Sequence, residues 1–524
     1  MFVHFMKKSV LLLALCAPFL ASSQTFFRSE LPTELDRPWE ISYGPDGYLS
    51  LTEQFGIVSR VHPETGARTV VFEADDYFHG GPTEASPECP EVPIGKGTLG
   101  LCLHPEFLKE GSSFVYFFYS YNAGTVSDPE TKFRVKRLTW DASLEQVVAD
   151  TNLIDDIMNG YDHFGGRMMA VKQNGTPYLF FTLGDMGMSE QNAPHCYADQ
   201  SQNPNNFGQD VNTQNGKIHR FNMDGSVPDD NPIPGNSFYT RGHRNPQGLM
   251  FNPESETLYS VEHGDRTDDE INKLEAGMNY GWKEVRGYHF DNNHPGEKEF
   301  IEDYVPHPQI QGDRLVEAFY SWCAAPDTSA DWCTVAPSDG IYYPSDGGIP
   351  QFRNSLLVVT LKQGKYANKE VYHFRLDKDG KLLPSTEVNP NPKQFFAEDQ
   401  EVNGRIRDIA LSPDGKKIFL INNGASPNGD KISVYTYDET GGLNGEGDPK
   451  FRFYPNPTSD FGVIQGLEDP SLLKKMELTD GKGKSMEVEL NADQQMDVSE
   501  LASGIYLLKL YFENETYSLR FLKQ

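Results

Sequence analysis

A short turn motif that recurs between residues 40 and 440 is the feature that most limits what this chain can fold into. The clearest examples are Asp46-Gly47, Asn174-Gly175 and Asp414-Gly415. Short β-rich runs follow them at residues 48–51, 178–181 and 418–421. Asp-Gly and Asn-Gly pairs supply the positive φ angles of tight hairpin turns. Repeated hairpins with few long amphipathic stretches predict an all-β protein, and a β-propeller rather than a sandwich.

The charge balance excludes nucleic acid as a partner. The chain has 46 Lys and Arg residues against 76 Asp and Glu, a formal net charge of −30. Binding to phosphates needs a basic surface, which this composition does not provide. Hydrophobic residues make up 37% of the chain, enough for a large core and too many for general disorder.

The N-terminus has the features of a signal peptide over residues 1–23. Lys7 and Lys8 precede an apolar run at residues 10–20, and Ala21-Ser22-Ser23 offers small residues for cleavage. The apolar run is shorter than the roughly 20 residues needed to span a bilayer. We therefore expect the segment to be removed during export.

Five cysteines remain after that cleavage, and an exported protein meets an oxidising environment. Cys102 lies in an apolar run and is predicted to be a buried thiol. Cys323 and Cys333 flank a short polar loop and are the better candidate disulfide, which leaves Cys89 and Cys196 as the remaining pair. The chain has no CxxC or HExxH pattern that would indicate zinc.

A glycine-rich linker at residues 441–450 separates a C-terminal domain, residues 451–524, from the rest of the chain. Its β-patterned runs at residues 461–464, 486–490 and 504–510 predict a small antiparallel β-sandwich. The runs at residues 453–458 (FYPNPT) and 503–506 (SGIY) resemble the C-terminal sorting domains of the type IX secretion pathway. This resemblance implies passage across the outer membrane, then release or surface attachment; an ordinary appended β domain is the alternative.

Two polar segments before the linker point to chemistry. Asp162 and His163 lie in a glycine-rich loop, and a carboxylate beside an imidazole suits a general base, although a surface histidine is the alternative. Arg405 and Arg407 would share one face of a strand, where two guanidinium groups repel unless an anion lies between them. Local acids and a ligand with several carboxylates are both open as that anion.

Two further segments suggest ligand contacts. Residues 242–248 (GHRNPQG) place a cation and two amides between glycines, which favours ligand contact over a plain turn. Residues 262–265 and 268–270 offer carboxylates and main-chain carbonyls, the oxygen ligands that calcium prefers. For residues 268–270 a solvated acidic turn is the alternative.

Taken in order, these segments resemble the soluble pyrroloquinoline quinone (PQQ) dependent glucose dehydrogenases and the wider glucose/sorbosone dehydrogenase family. The strongest matches are residues 97–107, 162–185, 242–248, 268–282, 334–338 and 405–415. The resemblance implies a six-bladed β-propeller over residues 24–440, with PQQ at the mouth of its central channel. PQQ carries three carboxylates, so the resemblance also gives the paired arginines a ligand.

The resemblance implies a role for each matching position. His163 would take the proton from the substrate hydroxyl, Asp162 would orient it, and Arg244 would stabilise negative charge on the quinone oxygen. The implied PQQ contacts are Asn245, Thr334, Lys362, Arg405 and Arg407, and the implied substrate contacts are Trp332 and Gln247. The implied calcium ligands are main-chain carbonyls of Gly264 and Asp265, with Asp269, Glu270 and Tyr280 at further structural calcium. Gly95, Asp265 and Cys333 depart from the family pattern, so the sugar is not identified.

The expected function is a secreted or surface-exposed, PQQ- and calcium-dependent dehydrogenase that oxidises the hemiacetal hydroxyl of an aldose to a lactone. Its expected partners are a small sugar, an external electron acceptor and the type IX secretion machinery, and a homodimer stays open. A calcium-dependent lactonase is one alternative, although Lys362 and the arginine pair argue against a neutral lactone. A non-catalytic carbohydrate-binding propeller is the other, and the Asp162-His163 pair argues against it.

Overall fold

The structure is a computed structural model. It describes residues 25–78, 97–127, 130–159, 162–186, 208–265, 267–290, 295–322, 334–362, 371–396, 399, 403–423, 429–438, 451–454, 458–467, 469–480, 484–491, 494–512 and 516–523. The chain divides into two compact units. One is residues 28–436, and the other contains residues 437–524 together with residues 25–27 of the described chain.

The described strands between residues 25 and 438 form six four-stranded sheets, which confirms the predicted all-β class. The first sheet contains β2 (Glu40–Tyr43), β3 (Leu49–Glu53), β4 (Ile57–Val61) and β5 (Arg68–Glu73). The second contains β6 (Thr98–Leu103), β7 (Phe114–Asn122), β8 (Thr131–Asp141) and β9 (Gln146–Ile157). The third contains β10 (Met168–Gln173), β11 (Thr176–Leu183), β12 (Lys217–Asn222) and β13 (Phe238–Arg241).

Of the other three sheets, two again contain four consecutive strands, and the last contains three consecutive strands with β1 (Thr25–Glu30). They are β14 (Pro246–Asn252), β15 (Thr257–Glu262), β16 (Asp269–Leu274) and β17 (Tyr320–Trp322); β18 (Pro337–Tyr343), β19 (Ser355–Thr360), β20 (Val371–Arg375) and β21 (Lys393–Phe395); and β22 (Ile406–Leu411), β23 (Lys417–Asn422) and β24 (Ile432–Asp438) with β1 (Thr25–Glu30). In the last sheet the fourth strand is the first strand of the described chain. The first and last strands of the repeat, β1 and β24, are thus paired in one sheet, which closes the circle of sheets.

The predicted hairpin turns lie where the sequence puts them. Asn174 and Gly175 both have positive φ, 49° and 79°, and connect β10 to β11. Gly47 and Gly415 also have positive φ and lie between the first two strands of their sheets. Asn-Gly and Asp-Gly are favoured there because these residues adopt left-handed backbone angles at little cost.

The first strands of the six sheets form a ring at the centre of this unit. Each of them contacts the first strand of the next sheet, in the order β2, β6, β10, β14, β18, β22 and back to β2. Most residues of β6, β14, β18 and β22 are buried, whereas β2 and β10 are partly buried. A ring of sheets around a shared axis is the arrangement of a β-propeller, as predicted.

An ion cluster of four side chains, which we call the axial cluster, joins this ring. Arg167, which is 1% exposed, contacts carboxylate oxygens of Glu40 at 2.6 Å, Asp408 at 2.9 Å and Asp339 at 3.3 Å. These residues belong to β2, β18, β22 and the loop before β10. Main-chain groups complete the set, since Leu101 N–H donates to Glu40 and the carbonyl of Gln247 accepts from Arg167 Nε. Five of the six first strands, and the loop that leads into the remaining one, β10, therefore contribute to the cluster or contact it.

The C-terminal unit contains two antiparallel sheets, as predicted for a small β-sandwich. One is β25 (Arg452–Tyr454), β26 (Phe461–Gln465) and β29 (Gln495–Asp497); the other is β28 (Ser485–Val488), β27 (Lys475–Asp480), β30 (Gly504–Tyr511) and β31 (Thr516–Lys523). Phe453 and Phe521 stack in its core, with ring centroids 4.1 Å apart.

Helix is scarce in the described part of the chain. There, α1 (Glu297–Glu302) is the one α-helix whose residues are all described. A helix both long and apolar enough to cross a membrane is not found among the described residues. Cys102 is a buried free thiol, as predicted, and burial raises its pKa well above the usual range.

Candidate active site

One end of the ring gathers most of the residues singled out from the sequence. In an antiparallel sheet, the start of the first strand and the end of the second lie at the same end. His163, Arg244, Asn245, Thr334 and Arg405 lie before or at the start of first strands, whereas Asp185, His263, Gly264 and Lys362 follow second strands. The fold therefore collects these polar side chains on one face of the six-sheet unit.

His163 is buried and held by two carboxylates. Its Nδ1 lies 2.7 Å from Oδ1 of Asp185, which is fully buried. Asp162 accepts a hydrogen bond from the main-chain N–H of His163 at 2.8 Å, and its second oxygen lies 3.8 Å from Nε2. Asp162 was predicted to orient His163, but the carboxylate that hydrogen-bonds the imidazole ring belongs to Asp185. Asp185 lies 22 positions further on, so adjacency in sequence could not reveal it.

Gly184 lets the loops that carry His163 and Arg244 approach each other closely. A Cβ atom at Gly184 would lie 2.1 Å from the carbonyl oxygen of His163 and 2.6 Å from that of Arg244. The next residue, Asp185, donates its N–H to the same Arg244 carbonyl at 2.7 Å. Only glycine fits here, because the neighbouring atoms are main chain and cannot rotate away.

Arg244 is buried beside Trp282. Its Nη1 donates to the carbonyl of His263 at 3.2 Å, and its guanidinium carbon lies 5.5 Å from the Trp282 ring centre. Trp282 in turn donates Nε1–H to Oδ2 of Asp185 at 3.0 Å. One indole therefore links the predicted charge-stabilising arginine to the carboxylate that holds His163.

His263 lies among the cations of the site. Burial of its ring lowers its pKa well below the usual range, and nearby Arg244, Arg407, His163 and Lys362 lower it further. Its Nε2 is buried without a hydrogen-bond partner among the described residues. The imidazole is therefore neutral and is a candidate contact for a bound ligand, which the sequence analysis did not single out.

Gln247 connects two predicted cofactor contacts. Its amide accepts from Arg407 Nη2 at 2.9 Å and donates to Asn245 Oδ1 at 2.8 Å. Arg407 is 3% exposed, and burial with the nearby Arg167 lowers its pKa to about 9. Arg405, two residues away, is exposed. In the described part of the chain neither arginine has a carboxylate within ion-pair distance, so local acids do not neutralise the pair.

Thr334 and Lys362 meet at the edge of the same site. Lys362 Nζ donates to the Thr334 hydroxyl, and burial lowers the pKa of this lysine, with Asp269 opposing the effect. Asp269 fixes the loop before β18, because one of its oxygens accepts the N–H groups of Val335 at 2.6 Å and Ala336 at 2.7 Å. Its other oxygen accepts Gly264 N–H at 2.9 Å.

Glu262 and Glu270 form a buried acid pair under Arg244. The Nδ2 group of Asn272 donates to both, at 2.6 Å and 2.9 Å. Burial raises the pKa of Glu262 to about 8 and that of Glu270 well above its usual range, with Glu262 adding to the second shift. The pair therefore retains a proton near neutral pH, as expected for two carboxylates that share one buried site.

The side chains at the predicted calcium positions have protein partners, and the calcium site stays a prediction. Asp265 faces Arg286 at 3.3 Å, and Glu270 accepts Gly287 N–H at 2.6 Å. The Tyr280 hydroxyl donates to the carbonyl of Lys273 at 2.6 Å. Within the described ranges, the one group of three acidic residues close enough to share an ion is Glu40, Asp339 and Asp408, where Arg167 already supplies the cation.

Several predictions lie outside the described residues. These are the signal peptide, the linker, the substrate contact Trp332 and all four cysteines of the two proposed disulfides, Cys89, Cys196, Cys323 and Cys333. They stay predictions.

The chain matches two family models. Residues 35–428 match the one described as Glucose / Sorbosone dehydrogenase, and residues 452–524 match a Secretion system C-terminal sorting domain. Together these matches span both compact units. The second supports a secreted or surface location.

Individual relatives agree with the first match. Quinoprotein glucose dehydrogenase B of Acinetobacter calcoaceticus is 28% identical over 455 residues, covering 77% of this chain and 87% of that protein. Aldose sugar dehydrogenase YliI of Escherichia coli K12 is 26% identical over 416 residues, covering 77% and 92%. A PQQ-bound aldose sugar dehydrogenase from Streptomyces coelicolor superposes with a TM-score of 0.54 at 22% identity, covering 80% of this chain and 100% of that one. At that identity the structural likeness concerns the fold.

Proposed function

The chain belongs to the Glucose / Sorbosone dehydrogenase family, and from that premise we propose that it is a PQQ-dependent aldose dehydrogenase. The proposed reaction removes a proton from the hemiacetal hydroxyl and a hydride from the adjacent carbon, which gives a lactone. His163 is the proposed base.

The fit of the site to an anionic cofactor is the observation that carries this proposal. Arg244, Lys362 and Arg407 approach one histidine, His263, from different loops. Nε of Arg407 and Nε2 of His263 are buried without hydrogen-bond partners in the described part of the chain. A buried cation without an anion is costly, and buried polar atoms are nearly always paired. A planar ligand that carries carboxylates would satisfy these groups, and Asn245, Thr334 and Arg405 lie at the same end to hold it.

His163 is suited to accept the substrate proton at Nε2. Asp185 holds the proton of the ring at Nδ1, which puts the basic lone pair of the imidazole at Nε2. The Asp162 carboxylate, 3.8 Å from Nε2, stabilises the imidazolium that forms. Burial of the ring and of Asp185 keeps water from competing for the hydrogen bond between Nδ1 and Asp185.

Arg244 and Trp282 complete the proposed machinery. Arg244 is placed to stabilise the negative charge that develops as the hydride leaves the sugar. Trp282 holds both Arg244 and Asp185, so the acid–base pair and the cation keep a fixed spacing. When bound, PQQ supplies the acceptor for the hydride, and an external acceptor then takes the electrons.

Calcium enters the proposal only at the main-chain carbonyls of Gly264 and Asp265. Asp269 already accepts three main-chain N–H groups and the Tyr280 hydroxyl is engaged elsewhere, so these side chains do not fit an ion at their present positions. No step of the reaction is routed through the ion. The dependence of PQQ affinity on added Ca²⁺ and on a chelator measures whether an ion is needed.

The proposed location is outside the cell. The C-terminal unit matches a secretion sorting domain, and we propose that the type IX machinery recognises it after the N-terminal signal peptide has been removed. The partners are then a small sugar and an external electron acceptor.

The experiment is reconstitution of the purified full chain with PQQ and Ca²⁺, followed by dye-linked oxidation across a panel of aldoses. We expect turnover that requires PQQ, yields lactone and falls sharply in His163→Ala and Arg407→Ala. Lactone hydrolysis without PQQ would favour the lactonase instead. Sugar binding with no chemistry would favour a binding protein.

A further inference from the structure

Trp39 lies between two arginines at the centre of the ring. Its indole has the Arg167 guanidinium on it at 4.2 Å and that of Arg407 at 4.0 Å, measured from guanidinium carbon to ring centre. Trp39 directly precedes β2, and its main-chain N–H donates to the carbonyl of Thr52 in β3 at 3.0 Å. The indole is thus anchored to the first sheet, while the two cations come from the third and sixth.

The two arginines differ in how they are neutralised. Arg167 contacts three carboxylates of the axial cluster. Arg407 has no carboxylate within ion-pair distance in the described ranges, and its hydrogen-bond partner there is the neutral amide of Gln247. The like charge of Arg167 and burial both work against the charged form of Arg407. Asp408 and Asp339 favour the charged form from beyond ion-pair distance. Apart from the Gln247 amide, the indole face is the direct attractive contact given for the Arg407 guanidinium among the described residues.

From this arrangement we propose that Trp39 is a positioning residue for the anionic cofactor. It holds the Arg407 guanidinium flat against its ring, charged and facing the carboxylates of PQQ. A cation over an indole gains electrostatic attraction from the ring's π face, most strongly in a desolvated site. Gln247 fixes the same guanidinium from the side, and Gln247 is itself held by Arg167 through its carbonyl at 3.0 Å. The inference rests on the proposed function, because it names the residue that prepares Arg407 for that cofactor.

Replacing the indole should weaken cofactor binding through Arg407. We expect Trp39→Leu to raise the Kd for PQQ about tenfold, the upper part of the range for a cation–π contact. Trp39→Phe keeps an aromatic face and should stay within about threefold of wild type. Trp39→Met serves as a second non-aromatic variant should the leucine variant fold poorly.

A matched control exists in another sheet. Trp140 is buried and lies 4.4 Å from the Arg60 guanidinium, in a cation–π contact away from the proposed site. Trp140→Leu should leave the Kd for PQQ unchanged, even if it lowers the melting temperature as much as Trp39→Leu does.

A double-mutant cycle separates positioning from a general structural role. In an Arg407→Ala background, Trp39→Leu should cause no further loss of PQQ affinity, because the residue through which it acts is gone. A purely structural role for Trp39 would give losses that add.

The test is PQQ titration of the apo full chain, followed by tryptophan fluorescence and by calorimetry. Wild type that binds, with non-additive losses at Trp39 and Arg407, supports the inference. Wild type that binds while Trp39→Leu and Trp39→Met bind equally well, or lose affinity additively with Arg407→Ala, overturns the inference alone. Wild type that binds no PQQ overturns the proposed function and this inference together.

Discussion

At the scale of single residues, the imidazole of His163 lies between two carboxylates in different environments. Asp185 is fully buried and bonds Nδ1, whereas the Asp162 side chain is 59% exposed and lies 3.8 Å from Nε2. A buried carboxylate at Nδ1 selects the tautomer in which Nε2 can accept a proton. The Asp162 carboxylate lies near Nε2 and is partly screened by water, so it changes only the local charge.

These environments predict unequal effects of two isosteric variants. Asp185→Asn should lower kcat by about 10²- to 10⁴-fold, since an amide no longer fixes the tautomer in which Nε2 carries the basic lone pair. The measurement is steady-state dye reduction at saturating sugar. Asp162→Asn is the matched control and should cost about tenfold or less. Equal losses in the two variants would contradict the assignment of Asp185.

Lys217 predicts a pH dependence of stability. Its ammonium group is fully buried and donates to the carbonyl of Asn215 at 2.7 Å. Burial lowers its pKa from 10.5 to about 7. Between these two values the unfolded chain binds a proton that the folded chain lacks, so folding becomes more favourable as pH rises through that window. Below the lower value both states are protonated, and the full cost of the buried charge is present.

Lys217→Met removes this titration. The variant's free energy of unfolding, relative to wild type, should be most favourable near pH 6 and fall as pH rises toward 10, by at most about 1.4 kcal/mol per pH unit. Urea denaturation at several pH values measures it. A difference that does not vary with pH would show that Lys217 keeps an ordinary pKa in the fold.

At the scale of elements, the end of β11 sets the distance between the base and Arg244. Gly184 lies where the carbonyls of His163 and Arg244 both approach, so any side chain there would push two main-chain segments apart. The site geometry thus depends on an element end as much as on the reactive side chains.

Gly184→Ala is therefore expected to reduce activity by more than about tenfold and stability by about 1–3 kcal/mol, the cost of overpacking. Dye-linked assays and thermal unfolding measure the two effects. Gly44→Ala is the control, because its added Cβ would meet only side-chain atoms, those of Asp46 and Leu103, which can move. A fully active Gly184→Ala variant would contradict the close approach.

Local sequence signals predicted the elements better than their contacts. The Asp46-Gly47, Asn174-Gly175 and Asp414-Gly415 turns were predictable because their φ preference is a property of the residues themselves. His263 belongs to a polar segment recognised in the sequence, but its position near Arg244, Arg407 and Lys362 depends on how separate sheets meet. The ion site at Asp269 stays a prediction, but the three backbone N–H groups that its oxygens accept could not be predicted from any sequence pattern.

At the scale of the whole molecule, the axial cluster links five of the six first strands and the loop that precedes β10. Arg167 and Asp408 are 241 residues apart in sequence, so no local pattern could predict their contact. Burial raises the pKa of Glu40 and of Asp339 well above the usual range, and Arg167 holds that of Asp408 below it. The cluster therefore retains a proton as well as its guanidinium.

Removing the cation should destabilise the entire ring. Arg167→Met leaves three buried carboxylates without a counter-ion, and we expect a loss of about 3–5 kcal/mol in the free energy of unfolding. Arg314→Met, which removes an exposed ion pair with Glu275, should cost about 1 kcal/mol or less. Urea unfolding compares them. Similar losses in both variants would mean that the axial cluster contributes no more than a surface pair.

The role of His163 as base is tested most directly by a single-turnover reaction of the PQQ-loaded protein with an aldose, without external acceptor. We expect a rapid change in cofactor absorbance in wild type, and deuterium at the hemiacetal carbon should slow it. The change should be at least about 10²-fold slower in His163→Asn with PQQ still bound. Unchanged single-turnover rates in His163→Asn would contradict the central claim that this histidine takes the substrate proton.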